Sequence, residues 1–336
     1  MSDTAYFWFR LFRTKGIGPK RLVAIQRELE RQRLDPEDVP LKRSLLEKQY
    51  PDLAKIIVDN IRAEDQEAIR REYELLKKEN VSVIYPRHRH YPPTLIQDAA
   101  RFGVSPVLLG KGQTQLLREL GVAIVGSRKV SERGVEAARQ LAKQLAQKGF
   151  NVVSGYARGV DTGAHLGALE AKGTTTMVLS YGILKFKLKG DLGSLDDIYR
   201  SAVAISQFSP HELWRARNAM ARNKLVCALS SAVVVIESGP EKDDKGKMSG
   251  TFAAAKEALK MGRRLFVVDP KYLDDPSAGN ADLIRRGGIS IDPDSGANEI
   301  AERLHKDEKN GAFARPASHD KSGQLELPLA RNAAGP

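Results

Sequence analysis

Short apolar runs rich in β-branched residues recur from residue 122 to residue 291: Val122–Val125, Asn151–Val153, Thr175–Leu179, Ala202–Phe208, Ala232–Glu237, Arg264–Val268 and Ile289–Ile291. Runs of this kind predict strands buried on both faces of a parallel sheet. Between them the apolar spacing changes to 3.6, predicting helices over Arg133–Gln147 and Gly159–Ala171, and later near Glu212–Leu229 and Gly250–Met261. Strands alternating with helices of this length predict an α/β fold, a doubly wound and mainly parallel sheet. Ahead of it, residues 66–115 read as a connecting segment. It holds a charged helix (Glu67–Glu79), an edge strand (Val81–Tyr85), a Tyr91-Pro92-Pro93-Thr94-Leu95 stretch whose prolines exclude helix and central strand, and a strand at Val107–Gly110. Residues 1–65 carry helical spacing at Leu22, Ile25 and Leu29, and again at Leu45, Leu53, Ile56 and Ile57. Residues 116–303 form the core on this reading. The hydrophobic pattern stops after about Arg303, so residues 304–336 read as a disordered tail.

Charge changes the picture most. The 336 residues carry a formal net charge of +12, which favours polyanionic partners, nucleic acid first and acidic membrane surfaces second. No apolar run reaches membrane-spanning length, and the N-terminus lacks the apolar stretch and cleavage site of a signal peptide, so a cytoplasmic protein is expected. A single cysteine, Cys227, excludes an internal disulfide and a cysteine-based metal cluster.

Two predicted strands end alike. Val122–Val125 runs into Gly126-Ser127-Arg128, and the next into Ser154-Gly155-Tyr156-Ala157-Arg158-Gly159. Small residues let a backbone approach an anion closely, and arginine suits bidentate contact with phosphate. Tight strand-to-helix turns with solvated arginines would show the same residues. Two such loops at adjacent strand ends of a basic protein favour anion binding, because ligands of doubly wound sheets lie outside the carboxyl ends of the strands. A second basic group, Arg215, Arg217, Arg222, Asn223 and Lys224 with Trp214 among them, suits single-stranded nucleic acid, where bases stack and phosphates pair. It equally fits an amphipathic helix with a charged outer face. Ser249-Gly250-Thr251 reads as a helix cap near Glu237. His165 reads as a packed or capping residue and Asp161 as an N-cap. No nucleophile–base pair, carboxylate pair or metal constellation is evident, so neither catalysis nor a cofactor is expected. In the N-terminal helices, Gly16-Ile17-Gly18-Pro19-Lys20 fits both a helix-hairpin-helix turn offering backbone amides to a DNA phosphate and a plain bundle turn.

Taken in order, these motifs resemble the DNA-processing protein A family (DprA, also called Smf). The resemblance runs from about Tyr85 to Ile291. It is carried by Tyr91-Pro92, Pro106-Val107-Leu108-Leu109, Val125-Gly126-Ser127-Arg128, Ser154-Gly155-x-Ala157-Arg158-Gly159-Val160-Asp161, His165-x-Gly167-Ala168-Leu169, Arg222-Asn223-Lys224 and Ser249-Gly250-Thr251. It implies an extended Rossmann-like domain that binds single-stranded DNA, dimerises and hands strands to a RecA-type recombinase. Arg128, Ser127, Ser154, Gly155, Arg158, Arg222 and Asn223 would form its phosphate pocket, and a small N-terminal helical module, helix-hairpin-helix or SAM-like, fits the family. This chain departs from it in three places. Ala219-Met220-Ala221 replaces the aromatic-proline pair that usually precedes Arg-Asn, leaving Trp214 as a substitute stacking residue. Tyr181–Tyr199 keeps only Gly182-Ile183 of the usual motif. No winged-helix-like domain follows Ile291. The cytokinin-activating phosphoribohydrolases share the phosphate edge, but their glutamate after Gly-Thr is missing after Gly250-Thr251. A catalytically silent nucleotide sensor is the alternative. An adaptor role is a third, since Gln324, Leu325, Leu327 and Leu329 resemble the peptide by which bacterial proteins dock on the sliding clamp; an edge strand of the chain's own sheet would use the same leucines.

Overall fold

The computed structural model describes residues 3–310 apart from 42, 59–62, 196, 247 and 275–277. The helices of the first segment are α1 (Thr4–Arg13), α2 (Pro19–Gln32), α3 (Arg43–Gln49) and α4 (Pro51–Ile57). A long α5 (Ala63–Lys78) leads to β1 (Val81–Ile84), α6 (Leu95–Phe102) and β2 (Leu108–Gly112). The alternating core follows: β3 (Gly121–Val125), α7 (Glu132–Gln147), β4 (Asn151–Ser154), α8 (Val160–Glu170), β5 (Thr175–Val178), β6 (Ala202–Ser206) and α9 (Ala216–Ala228). It closes with β7 (Ala232–Val235), α10 (Gly250–Lys260), β8 (Arg264–Val268), α11 (Ala278–Arg285), β9 (Ile289–Ile291) and α12 (Gly296–Lys309).

The nine strands form one sheet in the order β1-β2-β6-β5-β4-β3-β7-β8-β9. From β6 to β9 every pairing is parallel, while β2 runs antiparallel to both β6 and β1. The chain builds outward from β3 to β6 on one side, then returns to β3 and builds β7 to β9 on the other. This is the doubly wound Rossmann-like arrangement, and its switch point lies between the carboxyl ends of β3 and β7.

Alternation along the strands sorts side chains to two faces. Val122 and Ile124 of β3 pack with Leu141 and Leu145 of α7, Ala164 and Ala168 of α8, and Ile300 and Leu304 of α12. Ala123 and Val125 pack with Leu225 of α9, Phe252 of α10 and Leu283 of α11. The N-terminal helices cover the other half of the first face: Trp8, Phe9 and Leu11 share one cluster with Val81, Leu109, Met177 and Ala204. Trp8 and Phe9 are fully buried, each worth about 1.5–3 kcal/mol by transfer from water.

Three expectations need correction. The two prolines do not exclude a helix at Leu95: they stand just ahead of α6, where no interior amide is lost. Helix α9 starts only at Ala216, because the residues before it are held out of the helix by neighbours described below. Helix α12 runs past Arg303 to Lys309, since Leu304 and Asp307 lie on its buried side and Asp307 pairs with Arg264 of β8. The rest of the predicted tail, with Gln324–Leu329, lies outside the described residues.

Candidate functional site

The site is built on the carboxyl ends of β3, β4 and β7. The amide of Ser127 donates to the carbonyl of Glu237 at 2.8 Å, tying the two strand ends at the switch point. Ser131 caps α7, its Oγ accepting from the Gly134 amide at 3.0 Å and donating to Glu237 Oε2 at 2.8 Å. Glu237 is thereby spent on holding the loop. The Ser127–Val130 loop then locks onto the next one. A Cβ on Gly126 would enter the side chain of Val160, and Gly159, at φ +83°, would bring one against Val130.

The β4 loop is organised from beneath. Ser154, fully buried, donates through Oγ to the carbonyl of Ile124 at 2.7 Å. Directly above Gly155 lies the guanidinium of Arg222, in the space a Cβ would occupy. Arg222 is only 5% exposed and its Nη1 donates to Asp161 Oδ2 at 3.4 Å. The same carboxylate accepts from the Ala157 amide at 3.2 Å, so Asp161 sits in the first turn of α8 rather than at its N-cap, which is Gly159. Burial pushes the Asp161 carboxyl up and draws the Arg222 guanidinium down, and each opposes the shift of the other. Tyr156, at φ +54°, donates to the Lys187 carbonyl at 3.1 Å and accepts from the Lys189 amide at 2.9 Å. His165 packs beneath. Its Nδ1 meets Thr175 Oγ1, which itself donates to the Val152 carbonyl, so the imidazole carries its proton on Nδ1. Burial lowers its pKa to about 3, helped by the charge of Arg222.

The third part is the Ser209–Arg215 segment, a turn closed by the Glu212 amide donating to the Ser209 carbonyl at 2.9 Å and then a non-helical run to Arg215, which is extended. Glu212 accepts from the Gly182 amide at 2.8 Å and Pro210 from the Leu184 amide at 3.0 Å. Gly182 permits this closeness, because a Cβ there would strike the carbonyls of Ser209 and Pro210. The brace pushes Leu213 and Trp214 into solvent, 64% and 52% exposed. Arg128, itself exposed, lies with its guanidinium carbon 5.6 Å from the Trp214 ring centroid. Such a stacked arginine is held in place and keeps its donors outward.

Several predicted site residues therefore meet: Gly126, Ser127, Arg128, Ser154, Gly155 and Arg222, with Trp214 at the rim and Arg158 exposed on the β4 loop. Arg217 is exposed on the first turn of α9. Others serve as supports. Asn223 Nδ2 donates to the Gly250 carbonyl at 3.0 Å, Ser249 caps α10, Thr251 is buried, and Lys224 reaches the Phe102 carbonyl at 3.4 Å. Gly16 and Gly18 sit in the turn between α1 and α2, where Gly18 caps α2 without a side-chain bond, and Lys20 is exposed in the first turn of α2. Reading the sequence missed the Arg222–Asp161 pair, the brace at Gly182 and the exposed Leu213. Only the last left a signal, an apolar residue beside Trp214. Among the described residues no cluster of histidine, cysteine or carboxylate side chains converges to hold a metal.

Comparison with known proteins decides what this edge belongs to. Residues 82–305 match the family described as DNA recombination-mediator protein A. The chain belongs to that family. The DNA processing protein DprA of Bacillus subtilis is 30% identical over 213 residues, 62% of this chain and 67% of that protein. The X-ray structure of Streptococcus pneumoniae DprA shares the fold with a TM-score of 0.68 at 24% identity, covering 90% of this chain and 99% of that one. The Helicobacter pylori DNA processing protein A, whose structure concerns its single-stranded DNA binding mode, aligns at 27% identity and a TM-score of 0.51, over 68% and 96%. The family match, residues 82–305, spans every strand-end element described above.

Proposed function

We propose that this protein binds single-stranded DNA along the edge formed by the Gly126–Arg128 and Gly155–Arg158 loops, acting in the cytoplasm as a non-enzymatic recombination mediator that delivers the strand to a RecA-type recombinase. The observation that carries the reading is Arg128 stacked on an exposed Trp214 at the switch point of the sheet. Arginine donors meet phosphate, and the indole offers a face to a base, a pairing that tolerates any sequence. The Helicobacter pylori relative supports it, since its structure concerns single-stranded DNA binding. Exposure of Leu213 and Trp214 favours a polymer crossing an open edge over an enclosed mononucleotide. A non-enzymatic role is supported by Glu237 and Asp161, carboxylates bound into the two loops: Ser131 engages Glu237 Oε2, and Arg222 and the Ala157 amide engage Asp161 Oδ2. Dimerisation and a clamp contact through Gln324–Leu329 belong to the same proposal and rest on the sequence alone.

Filter binding tests it. Single strands should bind more tightly than duplex or free nucleotides, with log affinity falling by roughly one unit per log unit of salt for each neutralised phosphate. Tighter binding of a nucleoside monophosphate or triphosphate, with no oligonucleotide retained at low salt, would favour the nucleotide sensor.

A further inference from the structure

A second basic surface lies outside the strand-end site. Between the end of α1, the outer side of α5 and His211 runs an open groove of about 680 Å³. Arg13, Lys15, Arg71 and His211 line it together with one carboxylate, Glu72, and its apolar lining includes Ile69 and Leu75. Arg13 fixes the geometry: its Nε pairs with Glu72 of α5, and its Nη1 donates to Ser209 Oγ at 2.6 Å. That last bond fastens the helical segment to the non-helical segment that presents Trp214. Lys15, Arg71 and His211 are exposed, and Arg71 is 3.5 Å from an equally exposed Glu67.

Position makes the groove informative. His211 stands three residues before Trp214, so the groove begins within at most about 11 Å of chain from the stacking residue. Arg71 and Lys15 at the groove and Arg128 and Arg158 at the strand-end site are exposed cations, with His211 and Trp214 on the chain segment between the two. Cations tracking a backbone beside apolar surface for bases is the chemistry of a single-strand channel.

We propose that this groove is a second subsite for the same DNA strand, entered past Trp214 and formed jointly by the N-terminal helices and the Ser209–Arg215 segment. The inference rests on the single-strand reading of the strand-end site and extends the bound length beyond it. Its mark is length-dependent affinity.

Fluorescence anisotropy on the full chain, with labelled oligothymidylates of about 6 and about 20 nucleotides, tests it. The wild type should bind the longer strand far more tightly. Lys15→Ala with Arg71→Ala should weaken the longer strand about tenfold and lower its salt slope by about 2, leaving the shorter strand within about twofold. Both residues are exposed, so the fold should persist; His211→Glu, exposed on the opposite wall, should act in the same direction and provides an independent variant. Equal wild-type affinity for the two lengths would overturn the second subsite while leaving the strand-end reading intact, as would equal losses of the double variant on both lengths. Binding of neither length would overturn the single-strand reading itself, and the groove with it.

Discussion

Arg128 stands exposed at the end of β3 with its guanidinium over Trp214, whereas Arg222 is buried against Asp161 in the space above Gly155. On the proposed reading the first meets the DNA strand, and the second positions the Gly155 loop beside it. Arg128→Ala should therefore cost about 1.5–3 kcal/mol in single-strand binding, as expected for a charge-assisted phosphate contact. Arg139→Ala is the control. Its charge already pairs with Glu170 on the neighbouring helix, so the same titration should show almost no loss. Similar losses at both positions would mean diffuse electrostatics and no pocket. Gly155→Ala should act on folding instead: its Cβ would fall within the Arg222 guanidinium, breaking a buried ion pair or forcing β4 outward. Urea unfolding should register a loss of about 3 kcal/mol.

At the scale of elements, the non-helical Ser209–Arg215 segment decides where the aromatic stands. Gly182→Ala should push it away from the β5 loop through clashes with the Ser209 and Pro210 carbonyls. The expected result is weaker single-strand binding with a smaller change in melting temperature than Gly155→Ala, because the displaced segment holds one buried residue, Pro210, whereas Gly155→Ala strikes the buried Arg222–Asp161 pair. Unchanged affinity would show that the brace does not set the position of Trp214. This element also marks where the sequence stops being legible. The parallel strands β3 to β8 could be read because each is an apolar run buried on both faces, β9 by its two isoleucines although Ser290 is exposed, and the strand-end glycines because turns of that kind need them. Helix α9 was expected to start near Glu212, since nothing local in His211-Glu212-Leu213-Trp214 forbids a helix. Hydrogen bonds from Gly182 and Leu184 outweigh that propensity, and they join residues far apart in sequence. Arg222 misleads similarly. As one of several cations it resembles a solvated face, and only the fold brings Asp161 and Gly155 to it.

At the scale of the molecule, stability and binding respond to solution conditions in opposite regions of the chain. The fully buried His165 has its pKa lowered to about 3. The unfolded chain takes up its proton near the ordinary value of about 6.5. Its contribution is therefore intact above about pH 6.5 and is lost progressively as pH falls towards 3. At about pH 5 this amounts to about 2 kcal/mol. His165→Gln should be less stable at neutral pH yet show a flatter acid limb between about pH 6.5 and pH 5, measured by urea unfolding. Removal of residues 321–336 should leave melting temperature and single-strand affinity unchanged while abolishing co-migration with purified sliding clamp. A fall in melting temperature would place those leucines in the core.

The chain has two tryptophans, with Trp8 fully buried among the N-terminal helices and Trp214 half exposed beside Arg128. Tryptophan emission therefore reports directly on the proposed edge. Titrating the full chain with unlabelled oligothymidylate should quench the emission with the same midpoint as anisotropy on a labelled strand, and Trp214→Phe should abolish that quenching. Saturable binding by anisotropy with Trp214 emission unchanged would place the DNA elsewhere and contradict the account.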